Sequence, residues 1–251
     1  MLIHGLGEGA YIWTDLARHL PSDYSAFAVD LRGHGRSPRS ADGRYVVDHY
    51  VADVVAALDS LGLERVILIG HSLGGDVVTR IATEHSERIA ALVVVDCGME
   101  SGEPGRRMVL NLWYSLRVYA TAEEYLQWLT RLRPLVSPEL LKHCVAEALK
   151  GSEETGFTLR VDPAVFLRPN HPRKDNRDWA ILPRIKCPTL ILRGANSAVL
   201  PKAVAIRMAT TVPNCSLQEI EKAGHAVMLE NPSAFREQVF KFLLQVRDIV
   251  L

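Results

Sequence analysis

The sequence predicts an α/β protein in which a mostly parallel sheet carries helices on both faces. Short apolar runs rich in β-branched residues or leucine recur along the chain, most of them ending in Gly or Asp. Amphipathic helical stretches separate most of these runs, and such alternation builds a parallel sheet covered on both sides. The alternation is interrupted once, between about residues 98 and 183, where helical periodicity replaces strand-like runs.

The elements follow in order. The first residues, "MLIHG", close a strand, and "AFAVD" (26–30), "RVILIG" (65–70), "ALVVVD" (91–96), "TLILRG" (189–194) and "SLQEI" (216–220) are the later strands. In "YVVDHYVADVVAALDSLG" apolar residues recur at three- and four-residue spacing, and Gly62 supplies the stop. The interruption reads as a helical cap, with helices in "RRMVLNLWYSLRVY", "AEEYLQWLTRL" and "SPELLKHCVAEALK", no buried strand, and then a loop-like tract, "DPAVFLRPNHPRKDNRDW". The charges in "RPNHPRKDNRD" fit a solvated loop better than an anion site. The chain thus divides into a first core part (1–97), the cap (98–183) and a second core part (184–251).

Composition narrows the partners. The 251 residues are 48% hydrophobic and 23% charged, within the soluble globular range. Lys plus Arg and Asp plus Glu number 29 each, so net charge favours neither nucleic acid nor an anionic membrane and leaves small molecules open. No signal peptide and no apolar run of about 18 residues stands out. Because the chain opens at the end of a strand, a preceding N-terminal segment is expected. Cys97, Cys144, Cys187 and Cys215 lie far apart with no C-x-x-C pair, which fits buried side chains in a reducing compartment, the cytoplasm.

The strongest local signal is "LIGHSLGGDVV" (68–78). A buried strand, then Gly70-His71-Ser72-Leu73-Gly74, then a helix is the context of a nucleophile elbow, with glycines where strand and helix backbones approach closely. Ser72 then stands at a helix N-terminus, where the dipole favours a developing anion. The glycine-rich loop "HGLGEG" (4–9) can turn a backbone N–H toward the same point, making the Leu6 and Leu73 amides an oxyanion hole. Near the C-terminus, "EKAGHAVMLENP" (221–232) sets His225 in a loop after the last strand, as a general base. His4 braces the oxyanion loop in this reading. His34 and His71 lie on the same face, but a residue beside the elbow serine points away from it, and the other five histidines fall in helices or polar loops.

These motifs, with Asp30-Leu31-Arg32-Gly33-His34-Gly35-Arg36-Ser37, resemble the α/β-hydrolase superfamily over nearly the whole chain. The resemblance implies a serine nucleophile, no metal or organic cofactor, and a small-molecule substrate held under the cap. Serine at position 72 argues against the branches that use an aspartate nucleophile. The sequence departs from the family pattern twice: the antiparallel strands that usually precede the H-G-x-G loop are absent, and the loop after "TLILRG", where the family commonly places its acid, offers Asn196, Ser197 and Ala198. Asp96, ending the neighbouring strand, is the leading substitute, because any carboxylate reaching the distal nitrogen of His225 serves. Its alternatives are a strand-end cap at Asp96, orientation of His225 by the Asn196 amide, Asp30, or an incomplete triad. Trp113, Trp128 and Trp179 are candidate pocket residues, against the competing reading of helical aromatics as core. Three activities fit: serine hydrolysis of an ester, lactone or similar carbonyl; a C–C bond hydrolase or cofactor-free lyase on the same fold; and a receptor that binds without turnover.

Overall fold

The structure, a computed structural model, describes residues 1–100, 103–167 and 176–247. Its central sheet has six strands: β1 (Leu2–Ile3), β2 (Ala28–Val29), β3 (Val66–His71), β4 (Ile89–Val95), β7 (Thr189–Gly194) and β8 (Cys215–Ile220). Their order is β2-β1-β3-β4-β7-β8 and every pairing is parallel. Each sequence-predicted strand is present. The runs at 2–3 and 28–29 form only two residues of ladder each, and β2 is an edge strand with Ala28 exposed.

Burial follows position in the sheet. All seven residues of β4 are buried, as expected of a strand with neighbours on both sides and helices above and below. The helix α2 (Val47–Ser60) turns Tyr50, Val51, Val54 and Leu58 inward, and α3 (Leu73–Glu84) buries nine residues, Leu73, Val77, Val78 and Ile81 among them. Near the C-terminus α10 (Pro232–Gln245) begins at Asn231, whose side chain accepts the Ala234 N–H, and buries Phe235, Val239, Phe242 and Leu243. The shorter helices α1 (Thr14–His19), α8 (Lys202–Thr211) and α9 (Val227–Glu230) complete the layers. No helix among the described residues is long and apolar enough to cross a membrane.

The interruption carries α4 (Glu103–Tyr114), α5 (Ala122–Leu132), α6 (Pro138–Ala148) and α7 (Asn176–Ile181). Among the described residues it adds no strand to the central sheet, but it is not wholly helical: β5 (Leu149–Ser152) and β6 (Gly156–Leu159) form an antiparallel hairpin separate from that sheet. Of its eight residues only Leu149 and Leu159 are buried, and they pair with each other at one end, so it gives none of the apolar alternation by which a buried strand is recognised. The charged tract at 168–175 lies outside the described residues. Several contacts hold the segment to loops leaving the carboxyl ends of β1 and β2: the Gly35 N–H donates to Arg160 O at 2.7 Å, the Asp162 N–H to Gly33 O at 2.7 Å, and Arg133 reaches Glu8.

Candidate active site

Three strand ends and two loops meet at the carboxyl edge of the sheet. Ser72 follows β3 and precedes α3, with φ 52 and ψ −115. A non-glycine residue with positive φ stores strain that the surrounding packing must hold. Here the packing is the contact of α3 with β1 and β3. A methyl group on Gly74 would overlap the carbonyl oxygen of Ile3, and one on Gly70 would overlap that of Gly74. Leu73 thereby comes close to the His4–Gly7 loop with its N–H in the first turn of α3, outside the helix's own hydrogen bonding. Gly74→Ala is expected to lower stability by about 1–3 kcal/mol, a Tm fall of roughly 2–12 °C. Thermal melts of the purified variant check this.

The His4–Gly7 loop is tied from beneath. His4, fully buried, accepts the Leu31 N–H on Nε2 at 2.9 Å, so its Nδ1–H donates to Gly5 O at 2.7 Å. Burial lowers its pKa, in keeping with a neutral bracing ring. Asp30 accepts the Ala10 N–H at 2.7 Å and the Arg36 N–H at 2.9 Å. It therefore fastens two loops and stays away from His225.

Asp96 follows β4, fully buried, and also has positive φ, 45. Its Oδ2 lies 2.7 Å from His225 Nδ1, so Nδ1–H donates and Nε2 is left as an acceptor. The same oxygen accepts Ser197 Oγ–H at 2.5 Å, and Oδ1 accepts the Gly194 N–H at 3.1 Å. The last residue of β7 and the acid-free loop after it thus each donate one hydrogen bond to a carboxylate from the neighbouring strand. Arg193 shapes that loop: its Nε donates to Leu200 O at 2.7 Å, Nη1 to Ala195 O at 3.1 Å and Nη2 to Ser197 O at 3.2 Å. Asn196 and Ala198 point to solvent. Asn196 fixes backbone only, its N–H donating to Ala223 O at 2.8 Å.

The sequence reading missed a buried charged network behind these groups. Glu8, 4% exposed, accepts the Gly5 N–H at 3.0 Å, faces His71 Nδ1 at 2.9 Å and accepts Arg133 Nη2 at 2.7 Å. His71 Nε2 lies 2.9 Å from the carbonyl oxygen of His225. The sequence reading set His71 aside as a residue pointing away from Ser72, yet its ring lies beside the expected base, with its centroid 4.5 Å from that of His225. Burial would raise Glu8, yet His71 and Arg133 hold it well below the carboxylate range. Burial would lower His71, yet the Glu8 charge and hydrogen bond carry it above the ordinary imidazole range. His225 is pushed down, by burial first and then by His71, against the pull of Asp96. A glutamate in a glycine-rich loop and an arginine at a helix end give no sequence signal that they meet.

The candidate pocket tryptophans separate. Trp128 stacks on Tyr125 and lines a narrow cavity beside Gly7, together with Arg133, Leu112 and Phe166. Trp113, 42% exposed on α4, and Trp179, buried beneath the Arg207 guanidinium, are not among the residues lining that cavity. Helical periodicity marks a buried face without saying whether a cavity or a core covers it. The four cysteines are free, three of them buried. Among the described residues no group of three or more His, Cys, Asp or Glu side chains is gathered as for a metal ion.

Comparison with known proteins agrees with this architecture. A family model described as alpha/beta hydrolase fold matches residues 1–232. RutD of Caulobacter vibrioides, assigned by name to carbamate hydrolysis, is 27% identical over 97% of this chain and 89% of its own. A 2-hydroxymuconate semialdehyde hydrolase of Pseudomonas putida is 25% identical over 98% of this chain and 86% of its own. Among solved structures, E-2-(acetamidomethylene)succinate hydrolase superposes with a TM-score of 0.86 at 18% identity, covering 96% of this chain and 90% of that one.

Proposed function

Since this chain belongs to the alpha/beta hydrolase fold family and is a hydrolase of that fold, we propose that it is a serine hydrolase acting on a small ester, lactone or similarly activated carbonyl through an acyl-enzyme. The observation that carries the reading is the 2.7 Å contact between His225 Nδ1 and Asp96 Oδ2, with the neighbouring strand β3 running into Ser72 in a strained strand-to-helix turn. In this mechanism Ser72 Oγ attacks the carbonyl carbon while His225 Nε2 takes its proton. The Leu6 and Leu73 amides hold the oxyanion, and the tetrahedral intermediate collapses as His225 hands the proton to the leaving group. Water, deprotonated by His225, then attacks the acyl-enzyme and frees Ser72. Asp96 fixes the histidine tautomer and stabilises the imidazolium formed at each step. Residues 98–183 act as a cap, with Trp128 beside the substrate.

C–C bond hydrolysis is a second reading, favoured by the likeness to the Pseudomonas putida enzyme. It begins from the same carbonyl and differs in the bond released. A panel of ester, lactone, amide, carbamate and vinylogous β-diketone substrates, run on the protein and on Ser72→Ala, separates the readings. Turnover of esters or lactones that disappears in the variant supports the first. Selective diketone cleavage supports the second, and binding without turnover of any class would sink both.

A further inference from the structure

Both ring nitrogens of His71 face oxygen. Nδ1 lies 2.9 Å from Glu8 Oε2 and Nε2 lies 2.9 Å from the His225 carbonyl oxygen, in a side chain 1% exposed. A carbonyl oxygen only accepts a hydrogen bond. Glu8 also only accepts, because a carboxylate held below its ordinary range is ionised, and its oxygens already take the Gly5 N–H and Arg133 Nη2. Either neutral tautomer of His71 would set a nitrogen lone pair against an oxygen lone pair inside the protein, where an unmet polar group is most costly. Hydrogen on both nitrogens satisfies both contacts.

We infer that His71 is a fixed imidazolium, paired with Glu8, that acts on the reaction through His225: its Nε2–H pins the backbone of the base, and its charge keeps the base ring neutral and ready to accept a proton. This rests on the serine-hydrolase reading for the role of His225, though the protonation of His71 does not. The ring centroids are 4.5 Å apart, so a second imidazolium at His225 would meet a like charge. The groups facing His71 come from every element around it. Glu8 and Asp96 favour its charged form, Arg133 is held off by sharing Glu8, and His4 and His225 are each disfavoured as cations by its presence. A base restrained in this way is a weaker proton acceptor and a stronger donor. That moves driving force from the attack of Ser72 to the protonation of the leaving group.

His71 is therefore a positioning residue, and two measurements test it. The first is the ¹⁵N NMR state of its ring nitrogens in the intact chain at about pH 7.5, where a free imidazole is neutral. Both nitrogens are expected to carry hydrogen; a lone-pair nitrogen on His71 at that pH overturns the inference. The second is the pH profile of kcat/KM on a neutral ester for the wild type and His71→Gln, in which the side-chain amide can still donate to the His225 carbonyl but carries no charge. The acid limb is expected to move up by about one pH unit, the scale for unit charges this close in a partly polar setting. A residue with only a structural role would lower the plateau and leave the limb in place, which overturns the tuning role. Should His71→Gln fail to fold, the NMR state of the unaltered chain decides. Full turnover by Ser72→Ala would sink the hydrolase reading separately, without touching the ring protonation.

Discussion

Asp96→Asn is expected to lower kcat by about 10⁴, the scale known for loss of a triad acid with the geometry kept. Asparagine fills the same buried volume and can still accept from Ser197 Oγ or the Gly194 N–H. Its amide nitrogen, however, can turn a donor toward His225 Nδ1, which favours the tautomer with hydrogen on Nε2 and removes the acceptor that Ser72 needs. The imidazolium formed during reaction also loses its counter-charge. The paired variant is Ala198→Asp, which restores an acid to the loop where the family commonly carries it. It is expected to change the rate little, because position 198 is exposed and His225 Nδ1 is already engaged. A second carboxylate nearby adds repulsion with Asp96 and no proton-transfer step. If instead Ala198→Asp raises activity strongly and Asp96→Asn leaves a low rate unchanged, Asp96 is not the acid. Both variants measured on one ester at fixed pH settle the matter.

Ser72→Ala carries the largest expected loss, about 10⁶ in kcat, since a nucleophile and its base act as a unit. The oxyanion amides and binding alone would leave a residual rate of about 10³–10⁴ over water. The chemical counterpart is covalent labelling: an organophosphonate is expected to modify Ser72, found by peptide mass spectrometry, and to leave Ser72→Ala unlabelled. Labelling of the variant at an undiminished level would mean that another group reacts. Alanine suits position 72 only as far as any non-glycine residue tolerates a φ of 52. A melt of the variant therefore accompanies the kinetics, to separate lost chemistry from lost fold.

The central sheet was legible because its inner strands are buried on both faces, and seven consecutive buried residues in β4 leave an unmistakable apolar run. The elbow was legible because its glycines answer a steric need local to a few residues. Asp96 was legible only in combination with topology: β4 lies between β3 and β7, so its end can reach the loop holding His225. What stayed hidden depended on long-range packing. Glu8 and Arg133 are 125 residues apart and become a pair only once Arg133, at the end of α5, reaches the glycine-rich loop after β1. The β5–β6 hairpin escaped because it carries no alternating apolar pattern, and the places of Trp113 and Trp179 stayed open because an amphipathic helix does not say what covers its apolar face.

The strand order also shapes synthesis. β4 pairs with β3, made just before it, and with β7, which the ribosome cannot supply until it has passed the whole 98–183 insertion. At about 5–20 residues per second the nascent chain waits for several seconds with a wholly apolar strand at an open edge. Such an edge invites pairing with another chain, so the interval before Thr189 emerges is when this protein most needs shielding by chaperones. Arrest or truncation within the insertion should yield an aggregating product even though the strained serine turn has already been made.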